Sequence, residues 1–182
     1  MREEWFSTPI WFFNYKMRDS HKQLILVELD EYINTHTSAD QSNTLGYQSQ
    51  NLPHSASVRK VFLTEILPAI HAEISQLKVD MFWFNDNWEG AYNNIHVHPK
   101  ADYSGVWYIN VPRHGEDSGV LTLYDPRPAA QMAGEEFQRT VKVQPEEGKV
   151  VVFPAWLPHG VGPNLTDERR ISISFNLTAY SG

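Results

Sequence analysis

The sharpest pattern in the chain is near its C-terminus, where Arg170-Ile171-Ser172-Ile173-Ser174-Phe175-Asn176-Leu177 alternates strictly between polar and apolar. Period two puts Ile171, Ile173, Phe175 and Leu177 on one face of a strand and Arg170, Ser172, Ser174 and Asn176 on the other. Such a polar face fits either solvent or a polar cavity inside a barrel. Further short apolar runs, divided by Gly, Pro and Asp turns, predict strands at 79–86, 91–98, 104–111, 119–124, 139–144, 149–154, 159–162 and 169–178. Seven or eight short strands at this spacing point to a sandwich, jelly roll or small barrel.

Before residue 80 the period changes. Ser20-His21-Lys22-Gln23 has the form of a capping box, and Ile25, Leu29, Tyr32 and Ile33 then fall on one helical face. A second helical stretch runs from Ser57 to Leu77, with Val61, Ile66, Ile70 and Ile74 on its buried side and a kink or restart at Pro68. Ser38 to Pro53 is polar and turn-rich and reads as a loop. No internal repeat or Gly/Ser-rich linker divides the chain. The expectation is therefore one domain over 1–182, mainly β with flanking helices. Residues 1–78 would supply an N-terminal strand and helices packed on one face, and 79–182 the β core.

Composition narrows the chemistry. With 182 residues, 41% of them hydrophobic and 13% aromatic, the chain is long enough to bury a real core. It contains no Cys, which removes disulfides, thiolate nucleophiles, Cys-bound zinc and iron–sulfur clusters, so any metal must sit on His, Asp or Glu. The net charge of -7 argues against nucleic-acid and anionic-membrane partners, both of which are bound chiefly through Lys and Arg. Met1-Arg2-Glu3-Glu4 leads into no apolar leader, and no run of 18 apolar residues occurs, so a cytoplasmic protein is expected. Oligomeric state stays open, a homodimer included, since the helices could pack on the sheet or on a second copy.

Among the 8 His, five (His21, His36, His54, His71 and His114) lie in helical or polar stretches with no partner at ligand spacing. His96 and His98 differ: in Asn93-Asn94-Ile95-His96-Val97-His98 they share one strand face, while Ile95 and Val97 should face the other layer. A third imidazole, His159, follows the apolar strand ending in Phe153-Pro154. Imidazole suits Fe, Zn, Cu or Ni, and a facial set with open positions is what non-haem iron uses.

Gly90, His96-x-His98 and Asp102, followed by Gly148, Pro154, His159 and Asn164, resemble the two cupin motifs in order. That resemblance implies a double-stranded β-helix, the cupin-like jelly roll, with the histidines converging on a metal inside it. The closer resemblance is to the 2-oxoglutarate and iron(II)-dependent oxygenase superfamily, and within it to a branch of small proteins. It rests on His96-Val97-His98-Pro99, Ser104-Gly105-Val106-Trp107-Tyr108-Ile109-Asn110-Val111-Pro112, Leu123-Tyr124-Asp125-Pro126-Arg127, Phe153-Pro154 with His159, and Arg170 to Asn176. Ser7-Thr8-Pro9 and the loop Ser42 to Ser49 extend it over nearly the whole chain.

The resemblance implies a dioxygenase that hydroxylates a substrate while 2-oxoglutarate is converted to succinate and CO2. His96, His98 and His159 would be the metal ligands and catalytic centre, and Arg170, Ser174 and Tyr108 would bind the co-substrate. Arg suits that task because its planar fork grips a carboxylate bidentately. The partners would be dioxygen and an unidentified substrate. One departure matters: His98 stands where most of the superfamily has Asp or Glu. A neutral ligand there leaves the site one unit more positive and could favour anion binding. It also leaves open zinc in place of iron, and Asp102 as a further ligand. Trp83, Trp88, Trp107 and Trp156 are candidate pocket walls. Arg127, after the turn at Asp125-Pro126, could reach a substrate.

Two other readings fit the same residues. A cupin-like metalloprotein without 2-oxoglutarate (an isomerase, another dioxygenase or a binding module) would leave Arg170 dispensable and use Asp102. A jelly-roll module without catalytic metal would bind sugars or peptides through Trp. The substrate is not legible in the sequence, because it depends on which of Ser38–Pro53, Asn85–Gly90 and Pro126–Glu136 closes the mouth.

Overall fold

A computed structural model describes residues 7–113, 115, 117–132 and 139–180. The chain opens with strand β1 (Trp11–Asn14) and helix α1 (Asp19–Thr35). Two short strands follow, β2 (Asn43–Thr44) and β3 (Tyr47–Gln48), and then helices α2 (Ser57–Val61) and α3 (Leu67–Ile74), joined by a π-helical turn over Phe62–Ile66. Strands β4 (Leu77–Asn87), β5 (Tyr92–His96), β6 (Tyr103–Asn110), β7 (Leu121–Tyr124) and β8 (Thr140–Val143) come next. The last three are β9 (Lys149–Pro154), β10 (His159–Val161) and β11 (Arg170–Ala179). They form two antiparallel sheets, ordered β1-β9-β6-β11-β4-β3 and β2-β5-β10-β7-β8. This is the expected jelly roll, with every strand expected after residue 78 present. Among the described residues no helix is long and apolar enough to cross a membrane.

The six-stranded sheet is covered on both faces, and period-two alternation sorts its side chains between them. Phe82 and Phe84 of β4, Trp107 and Ile109 of β6, Val150 and Val152 of β9, and the four apolar residues of β11 form one core with Ile25, Leu29, Phe62, Ile66 and Ile70 from the helices. The intervening residues Val106, Tyr108, Val151 and Phe153 point the other way and pack with Leu121, Leu123, Val143 and Leu157 in a second core between the sheets. Gly148, at φ +79°, makes the turn into β9. A Cβ there would lie 2.1 Å from the Tyr15 carbonyl oxygen.

Three local expectations change, and the one at Pro68 is met by a restart. The capping box is not used: α1 starts at Asp19, with Arg18 as a cap that makes no side-chain bond. Ser20 therefore lies inside the first turn, and the acidic Asp19 complements the helix N-terminus in its place. At Pro68 the helix does restart, since proline in the first turn of α3 withholds no bonded N–H, and the chain reaches it through the π-helical turn. Ser38 to Pro53 is more than a loop, because β2 joins one sheet edge and β3 the other. Finally, Ile95 and Val97 do not face another layer. They are exposed, because the helices pack on the other sheet.

Candidate active site

The polar face of β11 turns inward. Arg170, Ser172 and Ser174 line a cavity between the sheets, together with Trp83 and Asn85 of β4, Tyr108 of β6, Asn93 and His96 of β5, His98, and His159 of β10. Of the two options left by the alternation, the structure has the polar cavity.

His96 and His159 are paired across β5 and β10, and His98 lies just beyond the end of β5, held by its N–H to the Ala155 carbonyl at 2.9 Å. Their ligand atoms all lie within 4.8 Å of one another, and this group can hold a metal ion. The orientation of two rings is fixed from behind: His96 Nδ1 lies 2.7 Å from the Asn94 carbonyl and His159 Nδ1 lies 2.9 Å from that of Leu157. With Nδ1–H donating to those carbonyls, each Nε2 presents a lone pair to the centre. His98 Nε2 approaches His159 Nε2 to 3.2 Å, which requires a shared proton or a cation between them. Trp83 packs on the His98 ring at 5.5 Å and Phe153 on His159 at 4.7 Å. Burial, reinforced by the neighbouring imidazoles, pulls His98 down to about 3; burial and then His96 pull His159 to about 4. His96 is also lowered by burial. All three are therefore neutral near pH 7, the form that binds metal.

Arg170 is 2% exposed, and its Nε and Nη2 have no hydrogen-bond partner. Its guanidinium carbon sits 5.1 Å from the centre of the Tyr108 ring, whose hydroxyl is also buried and unpartnered. Burial lowers the Arg170 pKa, opposed by Tyr108, and burial raises that of Tyr108. Arg169, the neighbouring charge, points to the opposite face and pairs with Asp86 at 2.6 Å and Asp30 at 2.8 Å. Ser174 Oγ accepts a bond of 3.1 Å from Asn85 Nδ2, which leaves its own hydrogen free to donate into the cavity.

Other candidates fall outside this group. Asp102 is exposed, accepts the Ala179 N–H at 2.8 Å and is not in the histidine cluster. Arg127 is engaged with the carboxylate of Asp125 at 2.6 Å in the turn, and this pairing holds Asp125 down to about 2. Of the four tryptophans only Trp83 lines the cavity: Trp107 belongs to the helix-side core, and Trp88 and Trp156 are exposed. His21, His36, His54 and His71 do not join the cluster, and His114 lies outside the described residues, as do Met1–Glu4 and the end of the 126–136 segment.

Two features of the site enter only with the structure. Gly119 has φ +61°, and a Cβ there would lie 2.6 Å from Arg170 Cδ, so the guanidinium stem occupies the space that this glycine leaves. An amide network also joins the sheets beside the cavity. Asn93 Nδ2 donates to Asn85 Oδ1 at 3.3 Å and to Ser42 Oγ at 3.1 Å, and Asn43 Nδ2 donates to Asn87 Oδ1 at 3.1 Å. Asn inside a strand is disfavoured, so Asn85 and Asn87 after Phe82-Trp83-Phe84 were the available signal.

Fold and site together define a double-stranded β-helix protein with an internal histidine cluster. Residues 81–176, just over half of the chain, match the family model described as "Putative 2OG-Fe(II) oxygenase", and the chain belongs to that family. Among solved structures it is similar to a prolyl-4-hydroxylase from Pseudomonas putida, at 16% identity and TM-score 0.68 over 96% of this chain and 95% of that one. It is also similar to HygX from Streptomyces hygroscopicus, crystallised with nickel, 2-oxoglutarate and hygromycin B, at 14% identity and TM-score 0.71 over 95% and 84% of the two chains. A third is the viral collagen prolyl hydroxylase of Paramecium bursaria Chlorella virus-1 in its 2-oxoglutarate complex, at 13% identity and TM-score 0.61 over 92% and 94%. No curated protein matches the sequence.

Proposed function

We propose that this oxygenase binds iron(II) through His96, His98 and His159 and grips the distal carboxylate of 2-oxoglutarate with Arg170, Tyr108 and Ser174. The observation that carries this reading is the buried Arg170, whose unpartnered Nε and Nη2 share a cavity with the histidines. A guanidinium buried without an anion costs free energy that a bidentate carboxylate recovers. The residues fit the group expected there: neutral imidazoles with rear-anchored Nδ1 suit a divalent ion, and an unpartnered cation beside a hydroxyl suits a carboxylate.

When bound, iron and 2-oxoglutarate supply the activation of dioxygen by which the family oxidises its substrates. The chain's own contribution is positional. His96 and His159 present Nε2 because the Asn94 and Leu157 carbonyls hold Nδ1–H. Arg170, held over Tyr108 and against Gly119, fixes the far end of the co-substrate. Ser174, kept in orientation by Asn85, donates the further hydrogen bond. Three neutral protein ligands leave the charge of the ion uncompensated by the chain, which favours an anionic co-substrate. Trp83 packs on the His98 ring and Phe153 on that of His159, which holds both rings in place.

The test is anaerobic addition of Fe(II) and then 2-oxoglutarate, followed by the weak visible charge-transfer band of the chelate. The wild-type protein should give the band, and Arg170→Ala should require at least tenfold more 2-oxoglutarate to reach it. Iron binding with no band in the wild type would overturn the assignment.

A further inference from the structure

We infer that the substrate is an uncharged molecule bearing carboxamide groups, either a blocked peptide segment or a small amide. This inference rests on the oxygenase reading, because it concerns the cleft through which the same site is reached. A second cavity of 590 Å³ shares Ser42, Trp83, His96 and His98 with the inner one and lies on the side of the 38–53 segment. Its volume is that of a site for a whole small ligand or a few residues of peptide.

Its lining is unusual in charge. Among the described residues no Asp, Glu, Lys or Arg lines it, although the chain as a whole has 37 such side chains (15 Lys+Arg and 22 Asp+Glu). The polar groups are instead amides and hydroxyls, with Gln41, Gln48, Gln50, Asn51, Asn94 and Asn176 supplying the amides. With the metal's charge met by the dianionic co-substrate, a charged ligand would lose hydration there with no oppositely charged side chain in the lining to meet it, a cost that an uncharged ligand avoids. Aromatic stacking is also lacking. Apart from the histidines the one aromatic lining residue is Trp83, only 8% exposed and packed on His98, so no open ring face is offered to a sugar or a nucleobase. Side-chain amides carry a donor and an acceptor in one plane, which matches another amide.

Gln48 supplies the independent observation. It is 6% exposed, its backbone is tied to Asn85 in β4 and to Ser38 Oγ at 3.0 Å, and its side chain lines the cleft. Its Oε1 is buried with no hydrogen-bond partner. A buried acceptor of this kind is a cost that an N–H of a bound amide removes. The 38–53 segment thus does two things: it closes the sheet edges through β2 and β3, and it builds a neutral, amide-reading wall beside the histidines.

The test is calorimetric titration of the full chain loaded with Ni(II) and 2-oxoglutarate. The probes are N-acetylated, C-amidated tripeptides and small carboxamides, each with its free-acid and free-amine analogue. Neutral probes should bind at least tenfold more tightly than their charged analogues. The peptide and small-amide arms identify the source of the amide. Gln48→Met should weaken the neutral probes about tenfold, and Gln48→Glu should shift preference toward the amine analogue. Charged analogues binding as tightly as neutral ones, or no neutral probe binding at millimolar concentration, would overturn the inference. If the wild-type protein gives the iron and 2-oxoglutarate band but ignores neutral probes, this inference alone fails. If the band is absent the oxygenase reading fails, and titration of the Ni(II) protein without 2-oxoglutarate still decides the amide preference.

Discussion

Arg170 shows how a single side chain depends on what its neighbours lack. Its stem lies where Gly119 has no Cβ, and Gly119 adopts a φ of +61° that an L-residue takes with difficulty. Gly119→Ala should therefore cost about 1–3 kcal/mol of stability from backbone strain, as for other residues forced into sparsely populated backbone regions. It should also raise the 2-oxoglutarate concentration needed for half-maximal turnover by roughly tenfold, about 1.4 kcal/mol. Urea denaturation and succinate release measure the two effects; unchanged 2-oxoglutarate dependence in a folded variant would remove Gly119 from the positioning of Arg170. That Arg170 shares a face with Ser172 and Ser174 was legible in sequence because period two assigns faces without any knowledge of partners, but whether that face met solvent or a cavity was not, and the roles of Arg170 and the His96–His98 pair came from the family resemblance. Gly119 was not legible, because its role is set by contact with a side chain far along the chain.

At the scale of elements, Arg169 and Arg170 are adjacent residues with opposite tasks, since alternation sends one to the helix side and the other into the cavity. Arg169 ties the start of β11 to β4 through Asp86, which is 1% exposed, and to α1 through the half-exposed Asp30. Hydrogen bonding to Asp86 raises the Arg169 pKa, while burial of Asp86 raises that of the carboxylate against the pull of Arg169. Asp86→Ala should cost about 1–3 kcal/mol, below the 3–5 expected on breaking a fully buried pair, because Arg169 keeps Asp30 and some access to solvent. Asp30→Ala should cost less than about 1 kcal/mol. Equal losses in urea melts of the two variants would show that the pairing with Asp86 is not the stronger tie. Most strands after residue 78 could be read because they carry their own apolar or alternating run, as β6, β9 and β11 do. β2 and β3 could not, since two-residue strands take their conformation from the edges they join.

Across the whole molecule the site is divided between the two sheets. His96 and His159 belong to strands of the five-stranded sheet and His98 follows one of them, whereas Arg170, Tyr108 and Ser174 belong to the six-stranded sheet. In the proposed complex a metal ion cross-links neighbouring strands of one sheet, and 2-oxoglutarate connects that sheet to the other across the cavity. A ligand that binds only the folded state stabilises it by mass action, so Ni(II) at a hundred times its Kd should add about 2.7 kcal/mol, roughly 5–10 °C in Tm for a domain of this size. The order of binding gives the sharper expectation: 2-oxoglutarate should raise Tm further when the metal is present and much less without it. His159→Ala should lose both increments, and Arg170→Ala only the second. Thermal melts with each ligand alone and together measure this directly. A full 2-oxoglutarate increment in the Arg170→Ala protein would place the distal carboxylate elsewhere, and an increment independent of metal would separate the co-substrate from the histidines.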